Sequence, residues 1–572
     1  MGLISTVPAS CRDCYKCVRS CPVKAIKVIN GHAEVIEGRC ISDGRCVRVC
    51  PQNAKKVENN IDQVKNILKI GTKTAVSLAP SFTGAFPENK PGQVVAGLKK
   101  LGFSYIGETA AGAKLVAEEH KRLLTKTQVP VITSCCPVVV NLIEIYYPEL
   151  IPYLAPIVSP MVAHAKMLKQ IYGSETKVVF IGPCIAKKGE FQGRSEVEAV
   201  DAVLTFQEVL KMLEEQNIKL SGCQPVDFDN PGPANSRTFP LPGGLARSVT
   251  LSTDLLAKEI ISVDGLDEVI DFLERFHEVQ DLFRLIELLA CQGGCITGPD
   301  ITGTATQFAR RATVIAHAET FDKESAEKSM SKLSKKEISN LYFPRGVNRF
   351  RPTEEQIRDI LAKTGKFKPE DELNCGACGY DSCRDKATAV AMGMAEVDMC
   401  IPYMRDRAES KANLICQMTP NAILVVTNDL KILELNPAAE RKFSCFRNLV
   451  IGKNLTTIMD PRYFEEALYT KKLVTGEINF PGYKLVAWQS IFYVEKDEIL
   501  IGIYSDITQE KKQREQLSRV TDETLEKAQE VINKQMKVAQ EIAGLLGETT
   551  AETKVLLTKL MNLIRNEDNQ SN

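Results

Sequence analysis

The feature that most constrains this chain is an apolar run, residues 129–132, that ends in two adjacent cysteines, Thr133-Ser134-Cys135-Cys136-Pro137. An isolated free cysteine is usually explained by packing, but two neighbouring sulfurs at a strand end suggest chemistry. Three other segments repeat the pattern. Thr74–Leu78 runs into Ala79-Pro80-Ser81, residues 177–181 run into Gly182-Pro183-Cys184, and Glu287-Leu288-Leu289-Ala290 leads to Cys291-Gln292-Gly293-Gly294-Cys295. From about Thr74 apolar strands alternate with amphipathic helices, the pattern of an α/β domain with parallel strands. In open parallel sheets the site lies beyond the carboxyl ends of the strands. The expectation is therefore one crevice into which these strand ends deliver their sulfur and polar groups.

Cysteines also organise both flanks. Cys11, Cys14, Cys17 and Cys21-Pro22 follow C-x2-C-x2-C-x3-C-P, in which three thiolates wrap one cubane and the fourth reaches a second. Zinc is the alternative, but zinc knuckles pair two close ligands with two distant ones. In the second half-motif Cys40, Cys46 and Cys50-Pro51 keep their places, and Asp43 stands where a cysteine is missing. By the crossed ligation of such ferredoxin modules, Cys11, Cys14, Cys17 and Cys50 hold one 4Fe-4S cluster and Cys21, Cys40 and Cys46 the other. Asp43 then supplies a carboxylate oxygen to the fourth iron, or the second cluster is 3Fe-4S; the alternative is that Asp43 is a solvated turn residue beside Gly44. Further on, Cys375, Cys378, Cys383 and Cys400 give C-x2-C-x4-C-x16-C, with glycines that let the backbone approach a cluster. This spacing predicts another 4Fe-4S module, with zinc again the alternative, extending an electron path toward the C-terminus.

The 72 basic and 72 acidic side chains cancel, so no global field draws the chain to nucleic acid or to an anionic membrane. Nineteen cysteines without a signal peptide or a long apolar run point to metal ligation in a reducing cytoplasm, with no membrane insertion.

Residues 1–300 resemble the FeFe-hydrogenases, with the ferredoxin-like module and all three cysteine motifs in the family's order. The resemblance implies an H-cluster whose 4Fe-4S part is held by Cys136, Cys184, Cys291 and Cys295, with Cys295 also bridging to a diiron unit. It implies that Cys135 hands protons to the bridging amine, and that Lys187, Pro80 and Ser81 face the cyanide ligands; Glu190 belongs to the same motif as Lys187. The implied reaction joins two protons and two electrons into dihydrogen, reversibly, with a ferredoxin or similar carrier supplying electrons. The departures matter as well. Gly182 and Leu289 stand where the family has methionines, Val138-Val139-Val140 where it has an aromatic, and Met161 where glutamine is common. The segment Glu118-Glu119-His120-Lys121-Arg122-Leu123 offers no acid where the family's proton route needs one, and Ala155 stands for its serine. Proton transfer needs a donor within reach at every step, so slow turnover is expected.

Beyond Cys416 a strand, tight turn, strand and helix, with a last strand ending in Asp506-Ile507-Thr508, resemble a PAS domain. All five histidines lie outside it, which excludes a His-ligated haem there, and Cys445 lacks the surroundings of a flavin-reactive motif. A small metabolite ligand or a plain dimerisation role are the alternatives. The tail spaces Leu525, Ala528, Ile532, Gln535, Ala539, Ile542 and Leu546 as a coiled-coil seam. Gly547 then stops it, and Thr549 with Glu552 opens a second helix.

The expected fold class is multidomain α/β and α+β: a two-cluster ferredoxin-like module (1–60), an iron hydrogenase domain (61–345), a small 4Fe-4S domain (354–412), a PAS domain (413–508), and a coiled coil with a helical output tail (509–572). The expected function is a homodimeric sensor of dihydrogen or redox state that signals to a downstream kinase or phosphatase docked on the tail helices. The alternatives are a catalytic ferredoxin-linked hydrogenase, or an iron-sulfur electron-transfer protein without a diiron unit.

Overall fold

The computed structural model describes residues 2–192, 199–249, 259–320, 335–346, 352–546 and 550–567. It divides into two compact units, Met1–Met404 and Arg405–Asn572.

The first unit begins with two short helices, Lys16–Ser20 and Arg45–Arg48, each entered through a left-handed residue, Tyr15 and Gly44. Their half-motifs are tied by two antiparallel pairs: Ile4–Thr6 with Lys55–Val57, and Ile26–Ile29 with His32–Val35. Val18, Ile26, Val28 and Ala33 fill the space between them.

The parallel strands expected after Thr74 fall into two sheets. Tyr105–Glu108, Thr74–Leu78, Lys177–Gly182 and Ala202–Thr205 form one parallel sheet in that order, and Ile260–Asp264, Leu285–Leu289 and Val131–Ile132 form a second. Thr74–Leu78 and Leu285–Leu289 are each flanked by strands on both sides and buried along their whole length. Such burial explains why they read as almost unbroken apolar runs. The strand before the cysteine pair is shorter than its apolar run, because Pro130 has no N–H for the ladder and Val129 is 50% exposed. Helices Ala110–Lys126 and Pro160–Tyr172 cross at Gly112, where a Cβ would lie 2.5 Å from the Pro160 oxygen and 2.6 Å from the His164 nitrogen. Only glycine permits that approach.

The Pro- and Gly-rich segment from Cys223 to Gly244, whose composition favours a surface loop, is built into the wall. Gly232 N and Arg237 Nη2 donate to the fully buried Glu108 Oε2 at 2.8 and 2.7 Å, His317 Nε2 meets Glu108 Oε1 at 2.6 Å, and Cys295 N donates to Pro240 O at 2.7 Å. Asn230 is buried against His164. A proline- and glycine-rich segment can also be anchored by hydrogen bonds to partners distant in sequence.

The cysteine-rich segment near residue 380 also differs from expectation. Instead of only leading toward the C-terminus, it folds back on the N-terminal module within the same unit. Arg19 Nη2 donates to Ala377 O at 2.9 Å, Lys24 Nζ to Gly379 O at 3.0 Å and Val28 N to Met394 O at 2.9 Å, while Tyr380, Met394 and Met399 share a core with Val18 and Cys21. Gly379 has φ +94°, and a Cβ there would come within 3.0 Å of Val18 Cγ1.

The second unit is built on a five-stranded antiparallel sheet in the order Ile432–Leu435, Ala422–Thr427, Ile499–Asp506, Leu485–Val494, Val474–Phe480. Alternate residues such as Ala422, Leu424 and Val426 turn inward, and Phe443 packs edge-on against Phe480, Tyr483 and Tyr504. Asn436 caps helix Pro437–Lys442 through Ala439 N. Asp506-Ile507-Thr508 forms a latch: Thr508 Oγ1 donates to Asp506 Oδ1 at 2.6 Å and accepts from Val486 N at 2.9 Å, while Lys442 Nζ donates to Asp506 Oδ2 at 2.9 Å. Helices Thr508–Leu546 and Thr550–Glu567 follow. Leu525, Ile532 and Ala539 are half-buried along the first, while Ala528, Gln535 and Ile542 of the same seam are exposed. Gly547 and Thr549 lie outside the described residues.

Candidate iron-sulfur and H-cluster site

The two sheets place their carboxyl ends around one cavity of about 650 Å³. The first sheet contributes Pro80 and Ser81 after Thr74–Leu78, and Cys184 after Lys177–Gly182. The second contributes Cys135 and Cys136 after Val131–Ile132, and Cys291 and Cys295 after Leu285–Leu289. The turn between Cys291 and Cys295 needs its glycines: Gly293 and Gly294 have φ +81° and +85°, and a Cβ on Gly294 would fall 2.1 Å from Pro240 O. Lys187, on helix Ala186–Gln192, lines the same cavity and donates to Glu190 Oε2 at 2.7 Å.

The electrostatics suit a metal group. Burial pushes the Cys184 thiol up to about 11 and Cys295 up to about 12, with neighbouring sulfurs adding to both, and burial likewise raises Cys291 and Cys135 well above an ordinary thiol. Without iron these groups are thiols; thiolates form here against the positive charge of a metal. Burial works against the Lys187 ammonium, yet the Glu190 carboxylate raises it above an ordinary lysine. Ser81 Oγ is buried without a hydrogen-bond partner. Four sulfurs around a roomy cavity, a fixed ammonium and an unsatisfied hydroxyl fit an H-cluster with Cys136, Cys184, Cys291 and Cys295 as ligands.

The flanking cysteines gather as well. Cys11, Cys14, Cys17 and Cys50 surround one small pocket together with Lys55, and Cys375, Cys378, Cys383 and Cys400 surround another beside Lys366 and Lys386. Cys21, Cys40, Cys46 and Asp43 are close enough to oppose one another's ionisation. Asp43 is not a solvated turn residue. Its side chain is 11% exposed, burial raises it to about 6 against the pull of Arg45, and it also lines the large cavity that holds Cys291. Gly44 brings this loop so close to the cavity wall that a Cβ would meet Ile185 Cδ1 at 2.7 Å and Pro299 Cβ at 2.8 Å.

Where the family carries a methionine at Gly182, the Phe180 ring takes the space: a Cβ on Gly182 would meet it at 2.7 Å. Val138, Met161 and Leu289 line the cavity. From helix Ala110–Lys126 the wall includes Ala113 but no residue of 118–123, and Glu119 is engaged with Arg122 at 3.1 Å. Sequence reasoning gave no role to Glu287. It is 2% exposed, Oε1 accepts from Leu245 N at 3.1 Å, Oε2 has no hydrogen-bond partner, and burial raises the carboxyl to about 7. The signal was available, since a lone acid interrupts the apolar run Leu285-Ile286-Glu287-Leu288-Leu289.

Residues 72–299 match the C-terminal domain of the iron-only hydrogenase large subunit, residues 3–51 a 4Fe-4S dicluster domain, and residues 371–402 an Fe-S cluster domain. The chain is an FeFe-hydrogenase-like iron-sulfur protein. It is 27% identical to the NADP-reducing hydrogenase subunit HndD of Solidesulfovibrio fructosivorans over 52% of this chain and 56% of that one, and 29% identical to iron hydrogenase 1 of Clostridium pasteurianum over 50% and 63%. It therefore spans about six-tenths of the length of these relatives. A cytosolic Fe-S cluster assembly factor, NAR1 of Yarrowia lipolytica, is 29% identical over 23% of this chain and 30% of its own. Among the described residues no helix is long and apolar enough to cross a membrane.

Proposed function

We propose that this protein senses dihydrogen or redox state at an H-cluster, turning over dihydrogen slowly and reversibly, and reports that state through its second unit to a partner protein. The observation that carries this reading is the single cavity shared by Cys135, Cys136, Cys184, Cys291, Cys295 and the Lys187–Glu190 pair. When bound, the H-cluster supplies a cubane for electrons and a diiron unit for dihydrogen chemistry. Cys136, Cys184, Cys291 and Cys295 would hold it. Lys187 and Ser81 present donors in a site with little water, where an oriented donor is worth most. Cys135 holds the proton that enters or leaves, and the apolar Val138, Met161 and Leu289 restrict water.

The flanking cysteine sets would hold three further clusters, two in the N-terminal module, one of them at the Asp43 position, and one at residues 375–400, which would supply electron transfer with a ferredoxin or similar carrier. The second unit reads as a PAS domain over 413–508 with a helical output over 509–572. The strand order and the Asp506–Thr508 latch support this, since the latch couples the sheet to the exit helix. Oxidised and reduced states must favour different arrangements of that helix for a signal to leave. The exposed apolar side chains Val531, Val538 and Ile542 suit a homodimer or a docked kinase or phosphatase.

The likeness to an Fe-S cluster assembly factor favours a second reading, an iron-sulfur protein that never receives a diiron unit. Anaerobic maturation followed by a dihydrogen-uptake assay separates them: slow uptake supports the sensor, and none at all supports the relay.

A further inference from the structure

We propose that Arg45 competes with the fourth iron of the second N-terminal cluster for the Asp43 carboxylate, and that Asp267 sets the outcome by holding the guanidinium back; this rests on the cluster reading of the N-terminal module above. The corner at Asp43 would then exchange ferrous iron, and a 4Fe-4S and a 3Fe-4S cluster become two states of one site.

The backbone gives Asp43 the place of a ligand. Cys11-x2-Cys14-x2-Cys17 and Cys40-x2-Asp43-x2-Cys46 have the same spacing. The fold repeats as well, since Cys11 and Cys40 each end a short 3-10 helix, Pro8–Ser10 and Glu37–Arg39. Cys14 stands between the left-handed residues Asp13 (φ +48°) and Tyr15 (φ +53°), and Asp43 between Ser42 (φ +63°) and Gly44 (φ +75°). Helices Lys16–Ser20 and Arg45–Arg48 follow directly. Ala25 N donates to Cys21 Sγ at 3.2 Å and Ala54 N to Cys50 Sγ at 3.3 Å, so the last cysteines of the two halves match too. A left-handed serine is costly and persists only where the surroundings enforce it. Here Gly44 lies against Ile185 and Pro299, Ser42 N donates to Cys40 Sγ at 3.4 Å, and Asn141 Nδ2 donates to Ile41 O at 3.2 Å. The main chain at Asp43 is therefore fixed, and only side chains around it can rearrange.

Arg45 faces two carboxylates and is committed to one. Nη1 donates to Asp267 Oδ1 at 2.9 Å, whereas Nε stays 3.7 Å from Asp43 Oδ2. That Asp43 oxygen is buried and has no hydrogen-bond partner. The Asp267 side chain, in the first turn of helix Leu266–Glu274, is 71% exposed and that of Asp43 only 11%. An ion pair open to water is weak, and a buried carboxylate without a partner is costly. With iron on Asp43 the guanidinium rests on Asp267; with the iron gone, the uncompensated carboxylate draws Arg45 to itself. Release of ferrous iron from a 4Fe-4S cluster of charge 2+ leaves a 3Fe-4S cluster of charge 0, so no electron moves and no oxidant is needed. Asp43 and Arg45 both line the cavity that holds Cys291. The exchangeable corner thus faces the H-cluster site, and its iron content sets the potential of the neighbouring cluster.

The test uses the full chain with its clusters reconstituted anaerobically and equilibrated against citrate-buffered ferrous iron. After a mild dye oxidant is added, electron paramagnetic resonance reads the corner, because an oxidised 3Fe-4S cluster gives a signal and an oxidised 4Fe-4S cluster gives none. Asp267→Asn, at an exposed position, should raise the ferrous iron needed to fill the corner about two- to fivefold, since the freed guanidinium turns to Asp43. Arg45→Gln should lower it about tenfold, because the competing charged donor is gone. A merely structural disturbance would loosen the site in both variants, so shifts in opposite directions are the signature. Shifts in the same direction, or none, would overturn the proposal, as would a wild-type cluster that keeps four irons at every ferrous level. Asp43→Cys separates this from the reading beneath it: if that variant assembles a second N-terminal cluster, a failure belongs to Arg45 and Asp267 alone, and if it assembles none, the cluster reading falls with the proposal. If Arg45→Gln fails to fold, Asp267→Glu decides: a return to the wild-type iron requirement supports the clamp, and a requirement like that of Asp267→Asn overturns it.

Discussion

Replacing Lys188 by methionine should destabilise the first unit more than any single change at its surface. Lys188 is 1% exposed, and its Nζ donates to Glu58 O at 2.9 Å, Asn60 Oδ1 at 2.8 Å, and Glu208 Oε1 and Oε2 at 2.8 and 2.9 Å. One ammonium thus ties the connection leaving the N-terminal module to the capping box that opens helix Phe206–Glu215. Methionine keeps the length and removes the charge. Glu208 retains bonds from Thr205 N at 2.7 Å and Asn60 N at 3.1 Å but loses its counter-charge. Breaking a buried ion pair from one side costs about 3–5 kcal/mol. Guanidinium unfolding of the cluster-free protein should show that loss, and the amides of Asn60 and Thr205 should exchange faster. The double variant Lys188→Met/Glu208→Gln should recover about 0.5–3 kcal/mol relative to the sum of the singles, since residues in one network are coupled. A single-variant loss below about 1 kcal/mol, or strict additivity, would refute the reasoning.

Other expectations can be checked separately. Cys295→Ala should leave the N-terminal clusters visible by electron paramagnetic resonance and abolish dihydrogen turnover. Asp43→Cys should turn the second N-terminal site into a four-thiolate cluster with an altered resonance signal and potential; an unchanged spectrum would mean that Asp43 does not touch that iron. In the cluster-free protein His120 and His164 should each oppose folding as pH falls from 6.5 to 4: burial lowers both from 6.5 to about 4, so the unfolded chain binds protons that the native state refuses. Asp43 and Glu287, raised by burial to about 6 and about 7, act in the opposite sense over the same range. Each histidine contributes roughly 3 kcal/mol by pH 4, so His120→Leu should gain about that much relative to wild type across this range in a pH series of unfolding free energies, and identical pH dependence of the two proteins would refute it.

The cysteine spacings made much of the site legible, because ligand spacing is a local property and the thiols sit at strand ends. The two-sheet arrangement was not legible. A two-residue strand behind Pro130 carries too little periodicity to reveal its partners, and continuous apolar runs look alike in either sheet. The return of the segment around Cys378 onto Val18 depends on hydrogen bonds from Arg19, Lys24 and Val28 to distant backbone oxygens, and spacing says nothing about those. Glu287 was overlooked because its burial in the central strand, opposite Ser262, is set by cross-strand register. The compensation of Gly182 by Phe180 was hidden similarly, since only packing shows two residues sharing one volume.

The central claim is tested most directly by the infrared spectrum of anaerobically matured protein, recorded with and without dihydrogen alongside its turnover. The account predicts carbonyl and cyanide bands that shift under dihydrogen while turnover stays slow. Their absence from protein that carries its full complement of iron and sulfide would contradict it.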